Sequence, residues 1–323
     1  MLTDTFGRRF YYLRLSITDV CNFRCQYCLP DGYQCDHDRK FLTLPEIKLF
    51  AQTFAKLGTE KIRITGGEPS LRKDLPDIID TCKQTDGIKK VAITTNGFKL
   101  PEHLPSWLEA GLDALNVSID SLDTNQFKLI TGHNKLNTIL DGLDTAFAEE
   151  NLTVKINTVL MRQFNFGELE RFLAWIKSRP VSLRFIELMQ TGDNATFFGE
   201  QHVRGETIKE YLLKTGWLPA IKDKTAGPAQ EFYHPDYVGK IGLIMPYSKD
   251  FCQSCNRLRI SSLGKLHLCL FAEQGHDLRP LLAENDADAI ADRITALLGD
   301  KKVSHFLHEK LTGATKHLSM LGG

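Results

Sequence analysis

Apolar and polar residues alternate in several short runs of this chain: YYLRLSI (11–17), KIRIT (61–65), KVAITT (90–95), ALNVSI (114–119), TVKINTV (153–159) and SLRFIEL (182–188). A two-residue period places successive side chains on opposite faces and marks a β-strand. Helical stretches lie between these runs, for example LPEIKLFAQTFAKLG, with Thr43 placed as its N-cap. Most strand starts fall about 25–40 residues apart, a normal length for a βα unit. The pattern predicts an α/β protein: a partial (β/α)6, TIM-like open barrel, two units short of closure.

Near residue 220 the pattern changes. KDKTAGPAQEFYHPDYVGKIGLIMPY is rich in Gly and Pro and reads as loops and short strands. Beyond about residue 278 come two or three helical stretches and the ending SMLGG. The expected division is a barrel over 1–220 and a smaller C-terminal domain over 221–323.

Strands of a parallel sheet are usually apolar on both faces. Here one face of each is polar: Arg14 and Ser16, then Lys61, Arg63 and Thr65, then Asn116 and Ser118, then Lys155 and Asn157, then Arg184. In a barrel the apolar set meets the helices and the polar set faces the lumen. Arg14, Lys61, Arg63, Lys155 and Arg184 then share a confined space with few carboxylates, which calls for a large anion such as a polyphosphate. The alternative is a sheet with one wet face, where the charges mean only solvent. The sequence has no GxxxxGK[ST], so phosphates would not rest on a P-loop.

Composition bounds the rest. Of 323 residues, 42% are hydrophobic and 25% charged, with 40 basic and 40 acidic side chains, so no overall field favours nucleic acid or a membrane. The start MLTDTFGRRF lacks the apolar run of a signal peptide, and no stretch approaches about 18 uninterrupted apolar residues. A cytoplasmic protein is expected. Eight cysteines there point to metal or redox chemistry rather than disulfides, and six of them form two triplets, leaving Cys35 and Cys82 apart.

Cys21, Cys25 and Cys28 have CxxxCxxC spacing directly after the first strand, at the rim where barrel enzymes place their sites. Three thiolates can hold a [4Fe–4S] cluster by three irons and leave the fourth for a small molecule. A zinc site completed by Cys35 or His37 is the bland alternative. Cys252, Cys255 and Cys269 repeat the arithmetic with C-x2-C-x13-C spacing, and His267 could complete a zinc site there. Arg257 and Arg259 alternate against Leu258 and Ile260, so both point one way, toward solvent or toward a ligand.

The combination of CxxxCxxC, with Tyr27 before the last cysteine, and GGEP (66–69) after the second strand resembles the radical S-adenosylmethionine (SAM) superfamily. YYLRLSITDVCNFRCQYCLP, IRITGGEPSLRKDL, TTNG, LRFIELM, FCQSCNRLRIS and Gly322-Gly323 extend the likeness over nearly the whole chain, to the MoaA family. That resemblance implies GTP 3′,8-cyclase activity in molybdenum cofactor biosynthesis, with two [4Fe–4S] clusters and SAM as cofactors. It implies that Cys21, Cys25 and Cys28 bind the SAM cluster, and that Tyr27, Gly67, Ser118 and Met189 contact SAM. It implies GTP contacts from Arg14, Arg63, Thr94, Lys155 and Arg184, and from Arg257, Leu258 and Arg259. The second triplet would carry a cluster whose open iron binds guanine, with the Gly-Gly tail reaching into the site. The family further implies a homodimer, a flavodoxin- or ferredoxin-type reductant, and hand-over of product to cyclic pyranopterin monophosphate synthase. The segment carrying Cys35 departs from the family pattern.

Two other classes compete. A radical SAM enzyme acting on a peptide would not need five lumen cations. An iron–sulfur or zinc electron carrier would lack a large polar cavity and would not bind SAM.

Overall fold

In the computed structural model, residues 1–34, 40–221, 225–315 and 318–321 are described. Cys35, His37 and the terminal Gly322-Gly323 lie outside them.

All six expected strands form: β1 (Tyr12–Ser16), β2 (Lys61–Thr65), β3 (Lys90–Thr95), β4 (Ala114–Ser118), β5 (Thr153–Leu160) and β6 (Ser182–Glu187). The helices between them are α1 (Leu44–Lys56), α2 (Leu75–Lys83), α3 (Leu100–Glu109), α4 (Thr124–Thr131), α5 (Leu136–Phe147) and α6 (Leu169–Ile176). Thr43 caps α1 in a full capping box with Glu46, and Asp123 caps α4. α7 (Ala195–Gln201) and α8 (Gly205–Lys214) follow. Then come β7 (Leu218–Pro219), β8 (Gln230–Tyr233), β9 (Lys240–Ile244), β10 (Arg257–Ile260), β11 (Lys265–His267) and β12 (His276–Asp277). α9 (Arg279–Ala283) and α10 (Ala287–Leu298) complete the regular structure, with α10 packed on α1.

The strands make one sheet in the order β12-β11-β10-β1-β2-β3-β4-β5-β6-β9-β8-β7. Pairing is parallel from β10 through β1–β6 to β9, and antiparallel in the flanking strands. The chain beyond 220 therefore continues the barrel sheet at both edges. The apolar face of the strands, including Leu13, Ile62, Val91, Leu115, Ile156 and Leu183, is fully enclosed with the helices in one core. Burying each such side chain contributes about 1.5–3 kcal/mol. The polar face turns inward, as the alternation predicts. Among the described residues no helix is long and apolar enough to cross a membrane.

Candidate functional site

The first triplet sits in the loop after β1, held by the loops after β2 and β3. Gly67 N donates to Thr18 O at 2.8 Å and Glu68 N to Val20 O at 2.7 Å. This approach needs glycine: a Cβ on Gly66 would lie 2.4 Å from Thr18 O, and one on Gly67 2.3 Å from Val20 O. Glu68 is fully buried and committed to scaffolding. It accepts from Ser70 N (2.9 Å), Thr95 Oγ1 (2.7 Å) and Asn96 N (2.6 Å), and Asn96 Nδ2 donates to Asn22 Oδ1 at 2.8 Å beside Cys21. On the other flank, Arg24 N and Gln26 N donate to Thr131 O and Ile130 O at the end of α4. Phe23 fills the gap beneath, in contact with Phe98, Phe127 and His133.

Tyr27 donates its hydroxyl to Asp120 Oδ2 at 2.9 Å, while Asp120 Oδ1 accepts from Val159 N at 2.8 Å. Burial pushes the Asp120 carboxyl up to about 6. Burial likewise pushes the thiols up: Cys21 to about 11, Cys28 to about 12, and Cys25 well above its ordinary value. Ser118 closes β4 half-buried, and Met189 follows β6; like Tyr27 and Cys28, it packs against the buried cluster of Leu270, Phe271, Leu307, Leu318 and Leu321.

Below this rim lies the lumen. Register places Arg14 beside Arg63, Tyr12 beside Lys61, and Lys61 beside Lys90. On the far wall Asn116 pairs with Lys155, and Asn157 with Arg184. Arg14, Lys61, Arg63 and Arg184 are buried, as expected for the inner face. The Tyr12 ring takes Lys61 Nζ at 4.8 Å and the Arg63 guanidinium at 5.5 Å from its centroid. Burial and then neighbouring cations depress Arg14, Arg63, Arg259 and Lys155; Lys155 falls to about 6, with Arg184, Lys61 and Arg63 contributing. Guanidiniums keep their charge, so the crowding is repulsion that an anion would relieve. Among the described residues, Tyr12 Oη, Arg63 Nε, Thr94 Oγ1, Arg184 Nε and Arg259 Nη1 are buried polar atoms without a hydrogen-bond partner. Buried donors of this kind ordinarily have partners.

Two adjoining cavities occupy this space. One, of about 620 Å³, is lined by Lys61, Lys90, Lys155, Arg184 and Glu231. The other, of about 100 Å³, is lined by Arg14, Arg63, Arg257, Arg259 and the three cysteines Cys252, Cys255 and Cys269; Arg184, Pro228 and Phe251 line both. The second triplet is thus at the opposite end of the parallel sheet from the first. Cys252 and Cys255 precede β10, whereas Cys21–Cys28 follow its parallel neighbour β1. Pairing of β10 with β1 sets Arg257 beside Tyr12 and Arg259 beside Arg14, so both arginines face the lumen. Leu258 points the other way, into the apolar core.

Arg8 fixes the second triplet's loop. It is paired with Asp4 at 2.6 Å and donates to Cys252 O (3.2 Å), Val303 O (2.9 Å) and Lys302 O (2.7 Å). Burial raises the Cys255 thiol, but Arg257 and Lys301 bring it down to about 6; Cys269, also buried, remains raised. His267, the sequence's candidate fourth ligand, packs against Gly275 and does not line the cavity of the three cysteines. Among the described residues, no three His, Cys, Asp or Glu side chains converge on a single-ion position.

Sequence reasoning did not single out Asp120, Arg8, Lys90 or Glu231. Lys90 opens a strand whose other inward residues are Ala92 and Thr94, and the other three belong to no metal-ligand or strand-alternation pattern. Cys82 is buried in α2, away from both triplets, and burial pushes its thiol up to about 12.

Comparison with known proteins agrees with this geometry. The Radical SAM superfamily matches residues 15–176, and Molybdenum Cofactor Synthesis C matches residues 181–307. The chain belongs to the radical SAM superfamily, whose cofactors are a [4Fe–4S] cluster and SAM. Among solved structures it is similar to Streptococcus suis SuiB and to SuiB bound to S-adenosylmethionine. Each is 12% identical with a TM-score of 0.59, covering 98% of this chain and 72% and 70% of theirs. At that identity the likeness shows the fold. Within the superfamily, the C-terminal match makes this a MoaA-type radical SAM protein.

Proposed function

We propose that the protein is a GTP 3′,8-cyclase, converting GTP to (8S)-3′,8-cyclo-7,8-dihydroguanosine 5′-triphosphate in the first step of molybdenum cofactor biosynthesis. The observation that carries the reading is a cation-lined lumen with partnerless buried donors and the second cysteine triplet in its wall, the first triplet standing in the loop at the other end of the parallel strands. The donor sets fit two [4Fe–4S] clusters, one held by Cys21, Cys25 and Cys28 and one by Cys252, Cys255 and Cys269. When bound, the first cluster and SAM supply a 5′-deoxyadenosyl radical by one-electron reductive cleavage.

The chain's own residues position and shield. In this reading the Gly67 backbone, Tyr27, Ser118 and Met189 hold SAM at the upper rim. Arg14, Arg63, Thr94, Lys155 and Arg184 bind the triphosphate, while Arg257, Arg259 and the Leu258 backbone hold the nucleotide against the second cluster. Ribose then lies between the two ends. Hydrogen abstraction at C3′ and attack on guanine C8 join two atoms of one held molecule, which is where positioning contributes most. One further electron and a proton complete the dihydro product. The reading carries a cytoplasmic homodimer, a flavodoxin- or ferredoxin-type donor, and cyclic pyranopterin monophosphate synthase as the next enzyme. It also carries the division into a barrel over 1–220 and a cluster-bearing domain over 221–323.

The test is anaerobic reconstitution with iron and sulfide, then incubation with SAM, GTP and dithionite. The expected products are 5′-deoxyadenosine and the cyclised nucleotide in equal amounts. SAM cleavage with GTP recovered intact would reject the assignment.

A further inference from the structure

Glu231 is the carboxylate that meets the lumen cations, and the sheet is built to let it. Register sets Arg184 on β6 opposite Gly242 on β9, and Gly242 opposite Glu231 on β8. Arg184 and Glu231 are therefore two strands apart on one face, with a glycine between them. A Cβ on Gly242 would stand 3.0 Å from Arg184 Cγ, so the missing side chain opens the path across. Over it, Arg184 Nη2 donates to Glu231 Oε1 at 3.2 Å, and Ser182 Oγ reaches the same oxygen at 3.4 Å. Arg184 is buried, while Glu231 keeps about a third of its side chain exposed on the cavity wall. Asp250, the other acidic residue of that wall among the described residues, is exposed and takes Gln253 Nε2 instead. Burial alone would raise the Glu231 carboxyl, yet Arg184, Lys155 and Lys240 hold it below its usual range.

We infer that Glu231 is an internal counter-anion: it occupies Arg184 when the lumen holds no substrate and competes with the substrate's phosphates for that guanidinium. It sets how tightly the cavity holds polyphosphate, limiting affinity so that the nucleotide can leave. This rests on the phosphate-binding reading of the lumen given above. The physical basis is that a ligand anion entering the cation row must either displace the carboxylate or sit beside it, and each costs affinity. Neutralising Glu231 removes that cost while Gln keeps the shape and one acceptor for Arg184 and Ser182.

The experiment is equilibrium binding of inorganic tripolyphosphate, GTP and guanosine to the reconstituted holoenzyme. Glu231→Gln is expected to bind tripolyphosphate and GTP about two- to fivefold more tightly, the scale of a partly exposed ion pair. Guanosine, which has no phosphate, is expected to bind as in the wild type. Glu231→Asp, which keeps the charge, is expected to retain wild-type affinity. Glu231→Ala gives a second neutral variant should Gln disturb the β8–β9 hairpin, and tightening in either supports the inference. Unchanged or weaker tripolyphosphate binding in the folded neutral variants overturns it, as does an equal change for guanosine. A wild-type holoenzyme that binds neither tripolyphosphate nor GTP instead rejects the phosphate reading itself, and this inference with it.

Discussion

Cys28 and Cys255 carry the same group in triplets of nearly the same make-up, yet their surroundings oppose each other. Burial drives the Cys28 thiol up to about 12, and the buried carboxyls Glu68 and Asp120 raise its neighbours Cys21 and Cys25 further. Cys255 opens onto Arg257 and Lys301, which bring it to about 6. At the first triplet the protons must be displaced by the metal against the environment, and the loop is instead shaped by backbone: Gly66, Gly67 and the Glu68 clamp. At Cys255, fixed cations favour thiolate and would equally favour an anionic ligand nearby, while burial keeps Cys269 raised. A cradle of close backbone at one end and a cationic wall at the other suit two different guests. In the function proposed above, the first is the cofactor end and the second the substrate end.

The largest effects should come from removing one triplet at a time. Replacing Cys21, Cys25 and Cys28 by Ala is expected to remove about half of the roughly eight irons per chain and all 5′-deoxyadenosine formation. Replacing Cys252, Cys255 and Cys269 by Ala should also halve the iron and abolish cyclisation, while leaving some uncoupled SAM cleavage. Iron analysis and chromatography of 5′-deoxyadenosine read both. Stoichiometric zinc in place of the second half of the iron would reject a cluster on Cys252, Cys255 and Cys269.

Smaller effects test the cationic end. Lys155→Ala and Arg63→Ala each delete one charge-assisted contact worth about 1.5–3 kcal/mol, so GTP should bind roughly 10- to 150-fold more weakly with iron content unchanged. Equal affinity in both variants would mean that the lumen does not read phosphate.

The subtlest expectation concerns protons. Lys155 is held near about 6 in the folded protein, against about 10.4 in an unfolded chain. Between those values the unfolded chain binds the extra proton, so this group's contribution to stability rises with pH through the window, and its cost is complete below about pH 6. A polyanion restores the charge. GTP binding at pH 8 is therefore expected to take up close to one proton more in the wild type than in Lys155→Met, measured by calorimetry in buffers of different ionisation enthalpy. Equal uptake in the two would remove Lys155 from the phosphate contacts.

Much of this molecule is legible because its strands announce themselves on both faces. Alternation marks the six barrel strands, and β2 and β3 match their expected limits, since the lumen makes each strand half polar. Arg14, Arg63 and Lys155 can be assigned to one face by counting alone. The edges are not legible in the same way. β9 and β10 are five and four residues long, and nothing local says that one joins β6 and the other β1. Glu231 on a short strand next to the sheet's edge resembles a solvent-facing charge until the register across Gly242 is known. Asp120 and Arg8 act through partners dozens to hundreds of residues away, a distance that no window along the chain can span.

The pairing of β1 with β10 joins residues near 12 to residues near 257. During synthesis, the barrel strands emerge with both outer edges bare, and Arg257 and Arg259 arrive only when the last quarter of the chain is made. Long-range parallel pairing of this kind is slow to form and exposes strand edges in the meantime. Chains stalled before β9 are expected to be held by chaperones or to aggregate, which pulse-labelled fractionation of nascent chains would show. The cell would thus complete the protein's sheet and its cationic wall late in synthesis.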